Sequence, residues 1–204
     1  IIVVGLFNVN TSSIKYSTNG GTDNFGGTVG IKYKDSDIDN YLENTWYVGL
    51  ASSQSEMYNA IKAKTISQDM YASLDKPDAA DDFTGVTYKY QYNFSTTDYD
   101  NLLYVGTVSV GERHVYVIGI PDIFEYFGKN VISSSELLNM FFNCESALGS
   151  TFFRDANSMG VGNAWGIFST LRSINTVFAS RTDFWLQPTF VIDLAADGIE
   201  YTIK

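Results

Sequence analysis

Cys144 and His114 are the only cysteine and the only histidine in the 204-residue chain, so thiol or imidazole chemistry must come from these two positions. A thiolate nucleophile needs a base beside it, and His114 is the sole imidazole that could serve. Cys144 stands in the apolar run LLNMFFNC, a setting for an inert buried thiol that packs as a small hydrophobe. His114 opens the strand-like run HVYVIGI, where a lone histidine is structural. No His–His metal pair, cysteine cage or Ser-His-Asp triad can be assembled from this inventory. One cysteine also excludes an intramolecular disulfide. The expectation is a protein that is not an enzyme and carries no cofactor and no metal.

The second chemical signal is compositional and lies in residues 151–186, TFFRDANSMGVGNAWGIFSTLRSINTVFASRTDFWL. This stretch has no Lys, Glu or Gln, although the chain has nine lysines and seven glutamates. It holds three of the four arginines, Arg154, Arg172 and Arg181. Randomising the adenines of AAC codons yields NNC, which cannot encode Lys, Glu, Gln, Met or Trp. Only Met159, Trp165 and Trp185 depart from that alphabet, as fixed framework positions would. The competing explanation is chance, since Lys, Glu and Gln are a small part of the chain. Phe and Arg, the types concentrated here, dominate the energetics of recognition surfaces. Strand alternation counted from Trp165 sets Ala164, Gly166, Phe168 and Thr170 on the face opposite to Trp165, Ile167 and Ser169. On that basis Asp155, Phe168, Thr170, Arg172, Asn175, Phe178, Arg181, Asp183 and Phe184 are expected to form one exposed ligand-binding patch, with Trp165 in the framework.

Bulk properties narrow the partners. The net charge of −10 and the absence of a basic cluster exclude nucleic acid and anionic membrane, both of which need a cationic footprint. The N-terminal apolar run Ile1–Phe7 is too short to cross a bilayer and lacks the basic flank of a signal peptide. A chain that starts at Ile rather than Met is expected to be processed or cut from something longer. Abundant Tyr with Asn, Ser, Thr and Gly suits an adaptable recognition surface, and equally a β-rich core.

The elements that must hold these residues can be read in order. Ile1–Asn10 reads as a strand, followed by a loop from Thr11 to Gly27 with turns at Gly20–Gly21 and Gly26–Gly27. SDIDNYLENTWY predicts a helix capped by Ser36, with Asp39 three positions on, close to a capping box. Its apolar face is Ile38, Tyr41, Leu42, Thr45 and Trp46. Residues 55–67 predict a second helix, with Met57, Ala60, Ile61 and Lys64 on one side. After the polar loop 75–82, residues 86–94 and 114–120 read as strands. Pro121-Asp122 starts a short helix closed by Gly128, and 134–143 is a further helix. Strands follow at about 163–169, 173–178, 188–194 and 199–203, with Pro188 opening its strand where no ladder donor is needed. Asp193, Asp197 and Glu200 fall to a solvated strand edge and turn, Asp197-Gly198 being a hairpin signal. The pattern is α+β in a single domain over residues 1–204, with a strand-rich C-terminal third.

SDIDNYLENTWY followed by SEMYNAIKAKTI resembles the paired helices of bacterial and phage domains with a C-type-lectin-like fold of the formylglycine-generating-enzyme type. RHVYVIGIPDIFEYFG resembles the strand-then-helix unit of that family. FFRDANS stands where it usually has a WLRS-like motif, and GNAWGIFS and QPTFVIDL resemble its closing strands. The likeness spans roughly residues 31–194. Two departures are FFRD in place of the WLRS-like motif, and Gln187 where Arg is common before Pro188. The resemblance implies two main helices packed on a twisted antiparallel sheet, with the C-terminal strands beside the N-terminal one. It also implies a variable protein of a diversity-generating retroelement, whose mutagenised positions fall in the same C-terminal segment. The expected partner is then a protein or glycan on a host or neighbouring cell surface, and the expected location a virion or cell surface. Oligomeric state is left open.

Three other readings stand beside this one. The oxidase chemistry of the family's namesake needs a reactive cysteine pair, which one cysteine cannot supply. A calcium-dependent lectin would carry a QPD motif, but Thr189 replaces the Asp that would ligate calcium and hard cations need several oxygens. The same fold could also serve as a decoration domain of a phage particle or fibre with no variable ligand.

Overall fold

The computed structural model describes residues 2–4, 14–17, 21–73, 102–122, 151–158, 161–168, 173–181 and 186–197. The strands expected at 86–94 and 199–203, the helix at 134–143, the body of the helix after Asp122, and Cys144 lie outside the described residues.

The described elements are mixed helix and sheet. Strand β1 (Ile2–Val4) is followed by the antiparallel pair β2 (Thr22–Phe25) and β3 (Thr28–Ile31). Strand β2 lies inside the stretch expected to be irregular, and β3 begins directly after it. Gly26 and Gly27, with φ of 67° and 111°, make the tight turn that lets the pair form, and the Asn24 side chain accepts a hydrogen bond from the Gly27 N–H at 2.6 Å. Next comes a helical stretch made of α1 (Asp37–Tyr41), a π-helical segment (Leu42–Tyr47) and α2 (Val48–Ser53).

Ser36 is the N-cap of α1, its hydroxyl accepting from the Asp39 N–H at 3.3 Å. The reciprocal half of the expected capping box is shifted by one residue, because the Asp39 carboxylate accepts from the N–H of Asp35 at 2.9 Å. The π segment also corrects the expected apolar face. Its wider turn moves the buried position after Leu42 on to Tyr47 and then Leu50, leaving Trp46 half-buried and Thr45 exposed.

The second expected helix is cut short. Helix α3 covers only Ser55–Ala60, and the chain then runs into β4 (Ile61–Lys62) and the long β5 (Lys64–Ser73). The physical reason is tertiary. The Asp193 N–H takes the Ala60 carbonyl at 2.8 Å, and Ile61 and Lys62 pair with Ile192 and Val191 of the last described strand. Backbone groups claimed by a strand cannot continue a helical ladder.

The remaining strands are β6 (Leu102–Arg113), β7 (Val115–Val117), β8 (Thr151–Asn157), β9 (Asn163–Phe168), β10 (Ser173–Phe178) and β11 (Pro188–Ile192). One sheet has the order β10-β9-β8-β5-β6; in the other, β11 pairs with β1, β4 and β7. The chain's first and last described strands therefore meet, Val3 opposite Phe190. The larger sheet is mixed rather than antiparallel throughout, because β5 and β8 run parallel with Met70 opposite Ala156 and Tyr71 opposite Asn157. Register shifts interrupt the β5–β6 ladder between Ile66 and Ser67 and between Met70 and Tyr71. Gly111, at φ 102°, sits at the first shift, a backbone setting that suits a bulge glycine. A methyl on Gly106 would lie 2.6 Å from the Phe25 carbonyl carbon, so the missing side chain is what lets the β2–β3 pair close over β6. Apolar residues from the helices, the β2–β3 pair and both sheets join one buried cluster that includes Phe25, Ile38, Leu42, Val115, Phe152 and Phe190.

Candidate functional site

The 151–186 segment supplies β8, β9 and β10, and its described side chains differ sharply in what they offer to solvent. All seven residues of β8 are buried. Central in its sheet, β8 is flanked by β9 on one side and β5 on the other. Its faces are covered as well, by Tyr16 packed edge-on against Phe152 with ring centroids 5.5 Å apart, and by the segment 118–122 on Arg154 and Asp155.

Asp155 was expected on an exposed patch; the structure corrects this, since the residue is 0 % exposed. Its carboxylate accepts the N–H of Asp69 at 3.1 Å and the N–H of Ile120. Burial pushes its carboxyl up, Arg154 opposes, and Asp69 raises it further, giving a value of about 7.

Arg154, its neighbour, is equally enclosed. The guanidinium donates to the Ser67 carbonyl at 2.6 Å and to the Val117 carbonyl at 2.7 Å. It pairs with Asp122 at 2.8 Å and lies 5.6 Å from the Tyr116 ring centroid. Burial pushes the Asp122 carboxyl up, but the Arg154 charge and hydrogen bond, the Gly119 N–H and Lys64 together hold it below the ordinary carboxylate range. Gly119 is required for this arrangement, because a Cβ there would fall 2.6 Å from an Arg154 terminal nitrogen. Only a planar guanidinium has enough donors in fixed directions for two carbonyls and a carboxylate. Arg154 is therefore an arginine for structural reasons, which removes one of the three arginines from the codon-alphabet argument.

Trp165 is 1 % exposed, and its indole N–H donates to the Tyr71 carbonyl at 3.3 Å. The alternation counted from it does not yield a free face at this point, because Ala164 and Gly166 are buried as well. At Ala164, Trp165 and Gly166 neither face of the strand meets solvent, so alternation selects no exposed face there.

Exposure begins where β9 starts and β10 ends. Phe178 is 65 % exposed and Val161 is 56 % exposed; Gly162, Ser180 and Arg181 are exposed too. The register Phe178 opposite Asn163 and the bond from the Ala179 N–H to the Gly162 carbonyl at 2.9 Å bring these residues side by side. Ala179 between them is buried, and its carbonyl accepts from the N–H groups of Tyr16 at 3.0 Å and Ser17 at 3.4 Å. The backbone is thus tied from two directions at the point where the side chains project.

Of the nine expected patch residues, Phe178 and Arg181 are on this surface and Asp155 is not. Phe168 and Asn175 occupy defined register positions, opposite Ser173 and Gly166. Thr170, Arg172, Asp183 and Phe184 lie outside the described residues. Sequence reasoning missed Val161, although Val and Gly both belong to the NNC alphabet and Val161-Gly162 precedes the Trp165 strand directly. It also missed Asp69, Asp122 and Gly119 as the partners of β8; no local pattern marks them. No grouping of three or more His, Cys, Asp or Glu able to hold a metal occurs among the described residues, and no described helix is long and apolar enough to cross a membrane. No family model, no curated protein and no solved structure matches the chain.

Proposed function

We propose that this chain is a non-enzymatic binding domain that presents the end of the β9–β10 pair to a protein or glycan ligand on a host or neighbouring cell surface. One observation carries the reading. Phe178 is 65 % exposed and Arg181 is exposed, while Ala179 between them is buried and held through both its N–H and its carbonyl. A large apolar ring held in water by a fixed backbone costs solvation and contributes nothing to the core; its natural use is contact with a partner. Val161 extends the apolar part of the surface.

The finer reading is a C-type-lectin-like scaffold diversified by a retroelement and displayed on a virion or cell surface. It is supported by the sequence resemblance, by the pairing of β1 with β11 and by the helical stretch capped at Ser36. Under this reading variation belongs at Val161, Phe178 and Arg181, and is excluded from Arg154, Asp155 and Trp165.

Two measurements test it. Sequencing the locus across related isolates should find substitutions at the first three positions and invariance at the second three; uniform conservation of all six would leave a non-varying decoration domain as the better reading. Binding of the intact chain to a glycan array and to candidate host cells should weaken when Phe178 and Arg181 are both changed to Ala. Equal binding by the double variant would remove the surface from consideration.

A further inference from the structure

The two ends of the larger sheet are built differently. At one end β6 carries register shifts against β5, finishes in the charged pair Glu112-Arg113, and has the β2–β3 pair closed over it at Gly106. Bulges, charge and cover are the usual protections of a strand edge. At the other end β10 has none of them among the described residues. Its sequence SINTVF has no charged residue and no proline. Its register with β9 runs without a shift from Ser173 to Phe178, and no described strand lies beyond it. Ile, Thr, Val and Phe are favoured strand residues, so this edge is a template for one more strand.

One bond shows which of its backbone groups face outward. The Ala179 N–H donates to the Gly162 carbonyl at 2.9 Å, continuing the register in which Phe178 stands opposite Asn163. Backbone groups alternate in direction along an antiparallel strand. Asn175 and Val177 are therefore turned to β9, and Ile174, Thr176 and Phe178 outward. The outward row ends at Phe178, whose carbonyl accepts from the Arg181 N–H at 3.1 Å.

We propose that β10 pairs with β10 of a second copy of this chain, antiparallel about a two-fold axis at Thr176. In that register outward backbone groups meet outward backbone groups, as an antiparallel ladder requires. Thr176 stands opposite its own counterpart and Ile174 opposite Phe178; Thr–Thr and aromatic–β-branched combinations both stabilise antiparallel pairs. Charge selects the same contact. The chain carries a net charge of −10, so two copies repel overall. Yet none of its 23 acidic residues falls between Ala156 and Thr182, the stretch that contains β10. Pairing there sets no acidic residue of the strand against its copy, and a two-fold contact needs only one self-complementary patch. The inference stands apart from the ligand reading. Where both hold, the pairing carries two ligand surfaces, one at each end of the seam.

The test is sedimentation equilibrium of the intact chain over micromolar concentrations, with backbone amide exchange, on the parent and on Thr176→Lys. The substitution sets like charges across the axis, and an edge lysine is a common guard against strand pairing. It leaves the bonds to β9 in place, because the backbone of Thr176 faces outward. The parent should sediment at twice the mass of one chain, with the Ile174 and Thr176 amides as slow to exchange as those of Asn175 and Val177. In Thr176→Lys the mass should halve and the amides at 174 and 176 should exchange fast, while those at 175 and 177 stay protected. A parent mass other than that of two chains, a variant that stays paired, or a paired parent with fast exchange at 174 and 176 would each overturn the proposal. Should Thr176→Lys fail to fold, the mass and the amide pattern of the parent decide. Phe178 and Arg181 are unchanged in the variant, so loss of pairing and loss of ligand binding are read separately.

Discussion

At the scale of single residues, the chain separates amino acids that look alike in sequence. Arg154 and Arg181 are both arginines in a lysine-free stretch, yet one bonds two backbone carbonyls and Asp122 in the interior and the other is exposed. Substituting them should therefore give opposite results. Arg154→Met leaves Asp122 buried with only the partly exposed Lys64 as counter-ion, and should cost about 3–5 kcal/mol of stability, the range for breaking a buried pair from one side. Arg181→Ala should leave the unfolding midpoint within about 0.5 kcal/mol of the parent, as surface changes do. Trp165→Ala removes a side chain that is 1 % exposed together with its bond to the Tyr71 carbonyl. It should cost about 3–5 kcal/mol by denaturant unfolding. A loss below 1 kcal/mol, on the order of a surface change, would show that the β9 framework does not depend on the indole.

At the scale of elements, the helical stretch at 37–53 illustrates how local rules and packing divide the work. Ser36 stops the helix at its N-terminus by a bond any such sequence could make. Ser36→Ala should lower stability by about 1 kcal/mol, read as a shift in denaturant midpoint with an unchanged slope. Asp39 does more than complete the cap. It is 2 % exposed and receives both Nε and a terminal nitrogen of Arg113, at 2.8 and 2.7 Å. The forked contact ties α1 to the end of β6. Glu43 in the π segment does the same for β7, accepting the His114 and Val115 N–H groups at 3.0 and 3.1 Å and meeting His114 Nδ1 at 2.7 Å. Tyr47 stacks on the same imidazole at 4.4 Å. His114 is thus a joint between helix and sheet, and its ring is engaged by a carboxylate and an aromatic face.

At the scale of the whole molecule, the pH dependence of stability follows from two buried carboxyls with opposite shifts. Asp122 has its folded value lowered. Its contribution is present above the unfolded value and is lost as pH falls through the folded one. Asp155 has its folded value raised to about 7. Its contribution is complete below the unfolded value, about 3.9, and is lost as pH rises through about 7. The fold should therefore be most stable in mildly acidic solution and weaken on both sides. Denaturant midpoints collected across pH at constant ionic strength will trace that optimum. A midpoint that rises steadily from acid to pH about 8 would contradict the assignment of Asp155.

Several features were legible in the sequence because they rest on local chemistry. The Ser36 cap, the turn at Gly26–Gly27, the strand that Pro188 opens and the strands around Trp165 and Asn175 all appear where residue type and spacing set them. The mixed helix-and-sheet class follows from the same periodicities. What the sequence could not decide were the places where distant backbone competes for the same groups. Residues 61–66 carry helical spacing, yet pairing with β11 at Ile61 and Lys62 and with β6 from Lys64 onward makes them strands. The burial of β8 has the same origin. Nothing in TFFRDAN announces that β5, β9 and the segment 118–122 will enclose it, so Asp155 read as a surface acid and Arg154 as a varied one. Alternation assigns side chains to two faces, but only the arrangement of neighbouring strands and loops determines whether either face meets water. At Phe178 one does, and at Trp165 neither does.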